Sequence, residues 1–260
     1  MNQEAFLLRE DQDGVCILTL NRPDAYNALS MELMKAISEQ LDQIAEDLSI
    51  RVVVIRGGGK GFCAGHDLKQ MLDAGEEDYY QKTFSTCSTM MQKVVNLPVP
   101  VIAQIHGVAT AAGCQLVASC DLAVCSDNAR FATPGVNIGL FCSTPMVALT
   151  RAVAPKHAME LLLSGDLIGA ERAWQMGLVN KTVPADELDQ AVAELAGKIA
   201  SKSRRTLSIG KQAFYQQQEQ DLASAYQQCS RVMTENMLTA DAQEGIDAFI
   251  HKRKPQWTHR

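Results

Sequence analysis

Two short runs in this sequence combine small residues with groups that can do chemistry. One is Gly61-Phe62-Cys63-Ala64-Gly65-His66-Asp67-Leu68; the other is Gly107-Val108-Ala109-Thr110-Ala111-Ala112-Gly113-Cys114-Gln115. Small side chains let main-chain N–H groups approach a ligand closely. Two such turns aimed at one oxygen would form an oxyanion hole, which stabilises charge developing on a carbonyl. Taken singly, either run reads more simply as close packing at a helix start. His66 is the one histidine inside these runs. An ordinary histidine pKa of about 6.5 suits proton transfer.

The surrounding pattern supplies elements that could hold both runs. The stretches 14–20, 52–55, 101–105 and 122–125 are apolar and β-branched, as buried strands are. The first run follows the strand at 52–55 and precedes a helix-like stretch. The second follows the strand at 101–105 and opens a tightly packed buried helix. Ser30 is placed to cap a helix whose Leu33, Met34, Ile37, Leu41 and Ile44 share one face. A long helix is expected around 79–95, and the strand signals stop after 178–183. From 185 onward the pattern is helical. Leu188, Val192, Leu195 and Ile199 share one face, as do Leu222, Tyr226, Cys229 and Met233; the last helix is expected to end near Lys254-Pro255. The expected organisation is α/β: strand-strand-helix units over 1–200, then a helical region over 201–260.

Composition narrows the function. The chain has 260 residues, a formal net charge of -6 and 47% hydrophobic residues. Such a chain can bury a large core, and disorder is not expected. An isoelectric point near 5.4 argues against a basic nucleic-acid binder. No run of about 18 uncharged apolar residues predicts a membrane span. The first residues resemble neither a secretory signal nor an Arg-rich transit peptide, so a cytoplasmic location is expected. The eight cysteines form no C-x-x-C pair and read as buried thiols of a reducing compartment, with no metal site. Charge is uneven: residues 201–260 carry +3 and the first 200 carry -9.

The order of several motifs carries a resemblance. They begin with Asn21-Arg22-Pro23 and Asn27-Ala28-Leu29, and pass through the 62–68 and 106–121 segments. They continue with Phe131-Ala132-Thr133-Pro134-Gly135 and 173–179, and end at 244–249 followed by Lys252-Arg253-Lys254. Over nearly its whole length the chain resembles the crotonase superfamily, the enoyl-CoA hydratase/isomerase family. Within it, Ala64-Gly65-His66-Asp67 and the 112–121 run are most similar to the enoyl-CoA hydratase domain-containing 3 type. The resemblance implies a spiral of ββα units with a helical C-terminal trimerisation region, and self-association to a homotrimer or hexamer. It implies an acyl-CoA or enoyl-CoA thioester as substrate, with no separate cofactor. The thioester oxygen would be held by the N–H groups of Ala64 and Ala112. The CoA groove would use Ala25, Ala64, Gly65, His66, Asp67, Leu68 and Ala112, with Phe249 and Lys252 approaching the adenine end from a neighbouring subunit. Phe141, Cys142 and Ser143 fall where the family lines its acyl pocket.

The sequence departs from the family at the two positions that matter most for hydration. A hydratase uses two glutamates, one serving as base while the other serves as acid. Gln115 stands at the first position and Gly135 at the second. An amide can orient water but cannot take its proton, and glycine has no side chain. The implied function is therefore acyl-CoA binding with enolate stabilisation and weak or atypical hydratase/isomerase activity. A non-catalytic acyl-CoA-binding oligomer is the alternative, as is another crotonase reaction such as decarboxylation or hydrolysis. Glutamate at both positions is expected to restore hydration if the pocket is otherwise intact. His66 is read as lining the adenine side of CoA or packing against its loop. Asp67 and Asp121 are read as structural carboxylates that bond backbone donors.

Overall fold

The computed structural model describes residues 5–259. The chain begins with β1 (Leu7–Gln12), β2 (Val15–Leu20) and α1 (Met31–Glu46), followed by β3 (Val52–Gly57), α2 (Leu68–Ala74) and α3 (Glu77–Asn96). Next come β4 (Val101–Ile105), β5 (Val108–Thr110), α4 (Ala112–Ser119), β6 (Leu122–Ser126) and β7 (Arg130–Ala132). Helices α5 (Ser143–Ala152) and α6 (Pro155–Ser164) lead to β8 (Ile168–Gly169), α7 (Ala170–Gln175) and β9 (Lys181–Val183). The chain closes with α8 (Leu188–Ala200), α9 (Arg204–Gln218), α10 (Leu222–Met237) and α11 (Ala240–Ile250).

Two sheets form. The larger runs β1-β2-β3-β4-β6-β9, and the smaller runs β5-β7-β8. Every pairing in the larger sheet from β2 onward is parallel, and β1 is antiparallel to β2. Successive strands alternate between sheets: β4 then β5 before α4, β6 then β7 before α5. This is the spiral of ββα units that the motifs implied. The short strands β5, β7 and β8 had no strand-length signal of their own.

Both faces of the large sheet are covered at β3, β4 and β6, which explains why these strands read as continuous apolar runs. Val53, Ile55, Ala103 and Cys125 point into the main core with α1 and α3. Their neighbours Val52, Val54, Ile102 and Val124 point to the opposite face, where Leu188, Val192 and Ala196 of α8 meet them. The two-residue side-chain alternation of a strand therefore builds both cores at once. Ser30 caps α1 by accepting from the Leu33 N–H at 3.3 Å, and the five expected apolar residues of that helix are buried. Seven cysteines are buried, Cys229 is half-buried, and all eight are free thiols. Helix α11 ends at Ile250, four residues before the expected stop. No helix among the described residues is long and apolar enough to cross a membrane.

A polar knot ties the helical region to the core. Asp121 accepts from the Val101 N–H at 2.7 Å, from Lys211 Nζ at 2.7 Å and from the Tyr215 hydroxyl at 2.9 Å. Lys211 also donates to the Val94 and Val99 carbonyls, so its buried ammonium uses three acceptors. Asp121 thus has the structural role expected of it. Removing one partner of a buried ion pair strands the other, which typically costs about 3–5 kcal/mol. Asp121→Ala is therefore expected to lower unfolding free energy by about 3 kcal/mol in urea titration. A loss below about 0.5 kcal/mol, the range of ordinary surface substitutions, would contradict this role.

Candidate functional site

The two glycine-containing runs meet as backbone. Cys63 N–H donates to the Val108 carbonyl at 3.0 Å, and Thr110 N–H returns to the Cys63 carbonyl at 2.9 Å. A Cβ on Gly113 would lie 2.1 Å from the Cys63 carbonyl oxygen, so only glycine lets α4 press this closely against the loop. On its other side the first run is held by the 26–29 segment. Leu29 N–H donates to the Gly65 carbonyl at 2.7 Å, and Asp67 N–H donates to the Leu29 carbonyl at 3.3 Å. Buried Asn27 fixes that segment by donating to the Gly58 and Gly61 carbonyls.

This interlock decides which N–H groups remain available. Ala64 N–H donates to the Tyr26 carbonyl at 2.9 Å. Its expected role as an oxyanion donor is corrected accordingly, because that hydrogen is already used. The peptide groups on both sides of His66 bond to Leu29, so the His66 N–H faces away from Leu29. Among the described residues no acceptor takes the His66 N–H or the Ala112 N–H. Ala112 opens α4, where first-turn N–H groups lack intrahelical partners. The two runs touch here: a Cβ on Gly65 would lie 2.8 Å from Ala111 Cβ and 3.3 Å from Ala112 N. Gly65 has φ +103° and Ala111 has φ 49°; for alanine that is a strained conformation.

His66 and Ala112 both line an apolar cavity of roughly 530 Å³. Ala64 and Leu68 line it with them, together with Gly135, Phe141, Cys142 and Ser143. The structure thus brings the first run, the second run and the expected acyl-pocket residues together. Met71 of α2 and Phe84 of α3 also line it, and nothing in their spacing singled them out. Neither Asp nor Glu lines the cavity among the described residues. Asp67 is turned away, accepting from the Gln70 N–H and pairing with Arg22 at 2.8 Å. Ala25 lies in the turn beside Tyr26 and does not border the cavity. Phe249 and Lys252 sit on and just after α11, exposed and away from it within one chain.

The two positions where the resemblance implies family glutamates differ in their surroundings. Gln115 is only 4% exposed, and its Oε1 has no hydrogen-bond partner. It borders a smaller hollow of roughly 340 Å³ with Met91, Val95, Thr144 and Val147, and not the cavity with Ala112. At Gly135 a Cβ would lie 2.8 Å from the Leu140 carbonyl oxygen and 2.9 Å from Cys142 Sγ. The expectation that glutamates at both positions restore hydration meets an obstacle here, because the space beside Gly135 is filled.

His66 lies in the cavity wall, packed edge-on to Phe84 with ring centroids 5.4 Å apart. Its ring thus packs against α3 while lining the cavity. Both ring nitrogens are enclosed without a hydrogen-bond partner. Burial pushes its pKa down from 6.5 to about 4, and the Leu29 backbone opposes this only in part. The unfolded chain therefore binds this proton first. Above about pH 7 His66 leaves stability unchanged; as pH falls from 6.5 to about 4 it costs stability progressively. A His66→Phe variant should lose less stability over that range, and NMR titration should find the wild-type ring neutral at pH 5.5. A ring titrating near its ordinary value would contradict this burial.

Comparison with known proteins places this geometry. The family model described as enoyl-CoA hydratase/isomerase matches residues 10–260. A rat protein named enoyl-CoA hydratase domain-containing protein 3, mitochondrial, is 48% identical over 248 residues, 95% of this chain and 83% of the relative. The Escherichia coli protein named 2,3-dehydroadipyl-CoA hydratase is 36% identical over 255 residues, 98% of this chain and 99% of the relative. Among solved structures, an enoyl-CoA hydratase from Mycobacterium smegmatis superposes with TM-score 0.96 at 49% identity, covering 98% of this chain and 99% of that one. The human enoyl-CoA hydratase domain-containing protein 3 superposes with TM-score 0.94 at 47% identity, covering 97% and 100%. The rat, mouse and human relatives are named as mitochondrial, which overturns the expected cytoplasmic location. Sequence, fold and backbone geometry agree that this chain belongs to the enoyl-CoA hydratase/isomerase family.

Proposed function

We propose that the chain binds an acyl-CoA thioester and stabilises its enolate between the N–H groups of His66 and Ala112. The observation that carries this reading is the pair itself: two backbone donors without acceptors among the described residues, on two runs that approach each other at Gly65, in residues that line one apolar cavity. A thioester oxygen placed there accepts both hydrogens. Charge grows on that oxygen when a proton leaves the α-carbon or a nucleophile adds at the β-carbon. Such donors are each worth about 3 kcal/mol when the charge develops away from water. Ala112 adds the positive end of the α4 dipole.

The same cavity argues against fast hydration. Water addition needs a base to take a proton and an acid to return one. Among the described residues no carboxylate lines the cavity, Gln115 borders a different hollow, and Gly135 has no room for a side chain. We therefore assign weak or atypical hydratase/isomerase activity. The names of the relatives, which include probable enoyl-CoA and 2,3-dehydroadipyl-CoA hydratases, support an enoyl-CoA type of substrate. A non-catalytic acyl-CoA-binding role is the second reading, favoured by the absence of carboxylates.

Self-association belongs to the same proposal. Leu222, Tyr226 and Met233 form the expected apolar stripe on α10, yet in one chain they are 76%, 69% and 60% exposed. A trimer would cover that stripe, and a neighbour's α11 would bring Phe249 and Lys252 toward the CoA adenine. The +3 charge of residues 201–260 suits CoA phosphates there.

Two measurements test the reading. Crotonyl-CoA consumption should be far slower than for a family member carrying both glutamates, while calorimetry finds acyl-CoA binding; an equal rate would contradict the atypical assignment. Gly65→Ala adds a methyl group that collides with Ala111 at φ +103°. It should cut any enolate-forming turnover about 100-fold by displacing the His66 donor. Unchanged turnover would remove His66 and Ala112 from the mechanism.

A further inference from the structure

If the cavity handles an enolate, something in it must move protons, and only two of its described residues titrate: His66 and Cys142. The imidazole has both nitrogens enclosed away from the open volume. Cys142 is different. It caps α5, its carbonyl accepts from the Met146 N–H at 2.9 Å, and it borders the cavity while remaining 9% exposed. Leu140 N–H donates to the Gly135 carbonyl at 2.9 Å, which folds the 134–142 segment back on itself and brings Cys142 against Gly135. The Cys142 sulfur then lies 2.9 Å from where a Cβ of residue 135 would stand.

We propose that the Cys142 thiol occupies the place left by the absent side chain at Gly135 and moves the proton between the substrate α-carbon and solvent. This rests on the acyl-CoA reading above. In the forward step the Cα–H bond breaks, the proton goes to the Cys142 thiolate, and the electron pair passes to the thioester oxygen held by His66 and Ala112. In the return step the S–H bond breaks and Cα–H forms again. Between the two, the thiol exchanges its hydrogen with water, so no oxidant or further reactant is needed. Burial raises the thiol pKa, and the Gly135 backbone opposes that only in part. The resting group is therefore a protonated thiol, suited to giving a proton to an enolate, and its minority thiolate is a stronger base than an ordinary one. A glycine at 135 fits this arrangement, because any larger residue would displace the sulfur.

The test is deuterium incorporation at Cα of butanoyl-CoA in D2O, read by mass spectrometry, with butanoyl-CoA binding measured by calorimetry on the same samples. Wild type should bind and incorporate deuterium. Cys142→Ala and Cys142→Ser should bind within about twofold and exchange at least tenfold more slowly. Serine preserves the shape and a hydroxyl but not the thiol's acidity, so it separates proton transfer from packing. Exchange by Cys142→Ser at the wild-type rate would overturn the proposal while leaving the acyl-CoA reading intact; wild-type binding with no exchange at all would overturn the proposal and leave acyl-CoA binding alone standing. Failure of wild type to bind butanoyl-CoA, CoA or crotonyl-CoA would instead sink the acyl-CoA reading and this proposal with it.

Discussion

The backbone interlock between the 61–68 and 107–113 runs governs the rest of the site. Cys63 pairs with Val108 and Thr110 on one side, and Gly65 and Asp67 pair with Leu29 on the other. With those peptides committed, the His66 and Ala112 N–H groups have no acceptor among the described residues. A buried donor without an acceptor ordinarily costs about 1–3 kcal/mol, and the positive φ at Ala111 adds strain. The fold tolerates both because the sheet cores, the Asn27 contacts and the Gly113 approach hold the loops from every side. Donors fixed before the ligand arrives need no reorganisation when charge develops, which makes such an arrangement effective in catalysis.

Much of the fold was legible because burial writes a strong signal. The 3.6-residue spacing of Leu33, Met34, Ile37, Leu41 and Ile44 marked α1 and its Ser30 cap, and the uninterrupted apolar runs marked strands covered on both faces. The second sheet was not legible. Its strands are two or three residues long, and they pair only because the large sheet brings their ends together. The location of α10 was legible, but its apolar stripe, left uncovered in a single chain, carries no mark of what it packs against.

The site was legible as a region but not at the resolution of single atoms. Small residues pointed to both runs, yet whether Ala64 or His66 offers the free N–H depends on the carbonyl of Tyr26, nearly forty positions earlier. No local pattern carries that information. The resemblance marked Gly135 as standing where the family would have a carboxylate. That Cys142 fills the same volume follows only from the fold-back of 134–142. His66 was read as lining the adenine side or packing against its loop, and its ring meets Phe84, a residue of α3 with no motif of its own. In each case the decisive neighbour comes from a different element.

The central claim is that one thioester oxygen sits between two fixed N–H groups. Infrared difference spectroscopy of bound butanoyl-CoA, carbon-13 labelled at its thioester carbonyl, tests it most directly. Two strong hydrogen bonds polarise that bond. The account predicts a carbonyl band shifted clearly to lower frequency than in water, and relaxed back toward the free value in Gly65→Ala. A bound carbonyl vibrating as it does in water would contradict it.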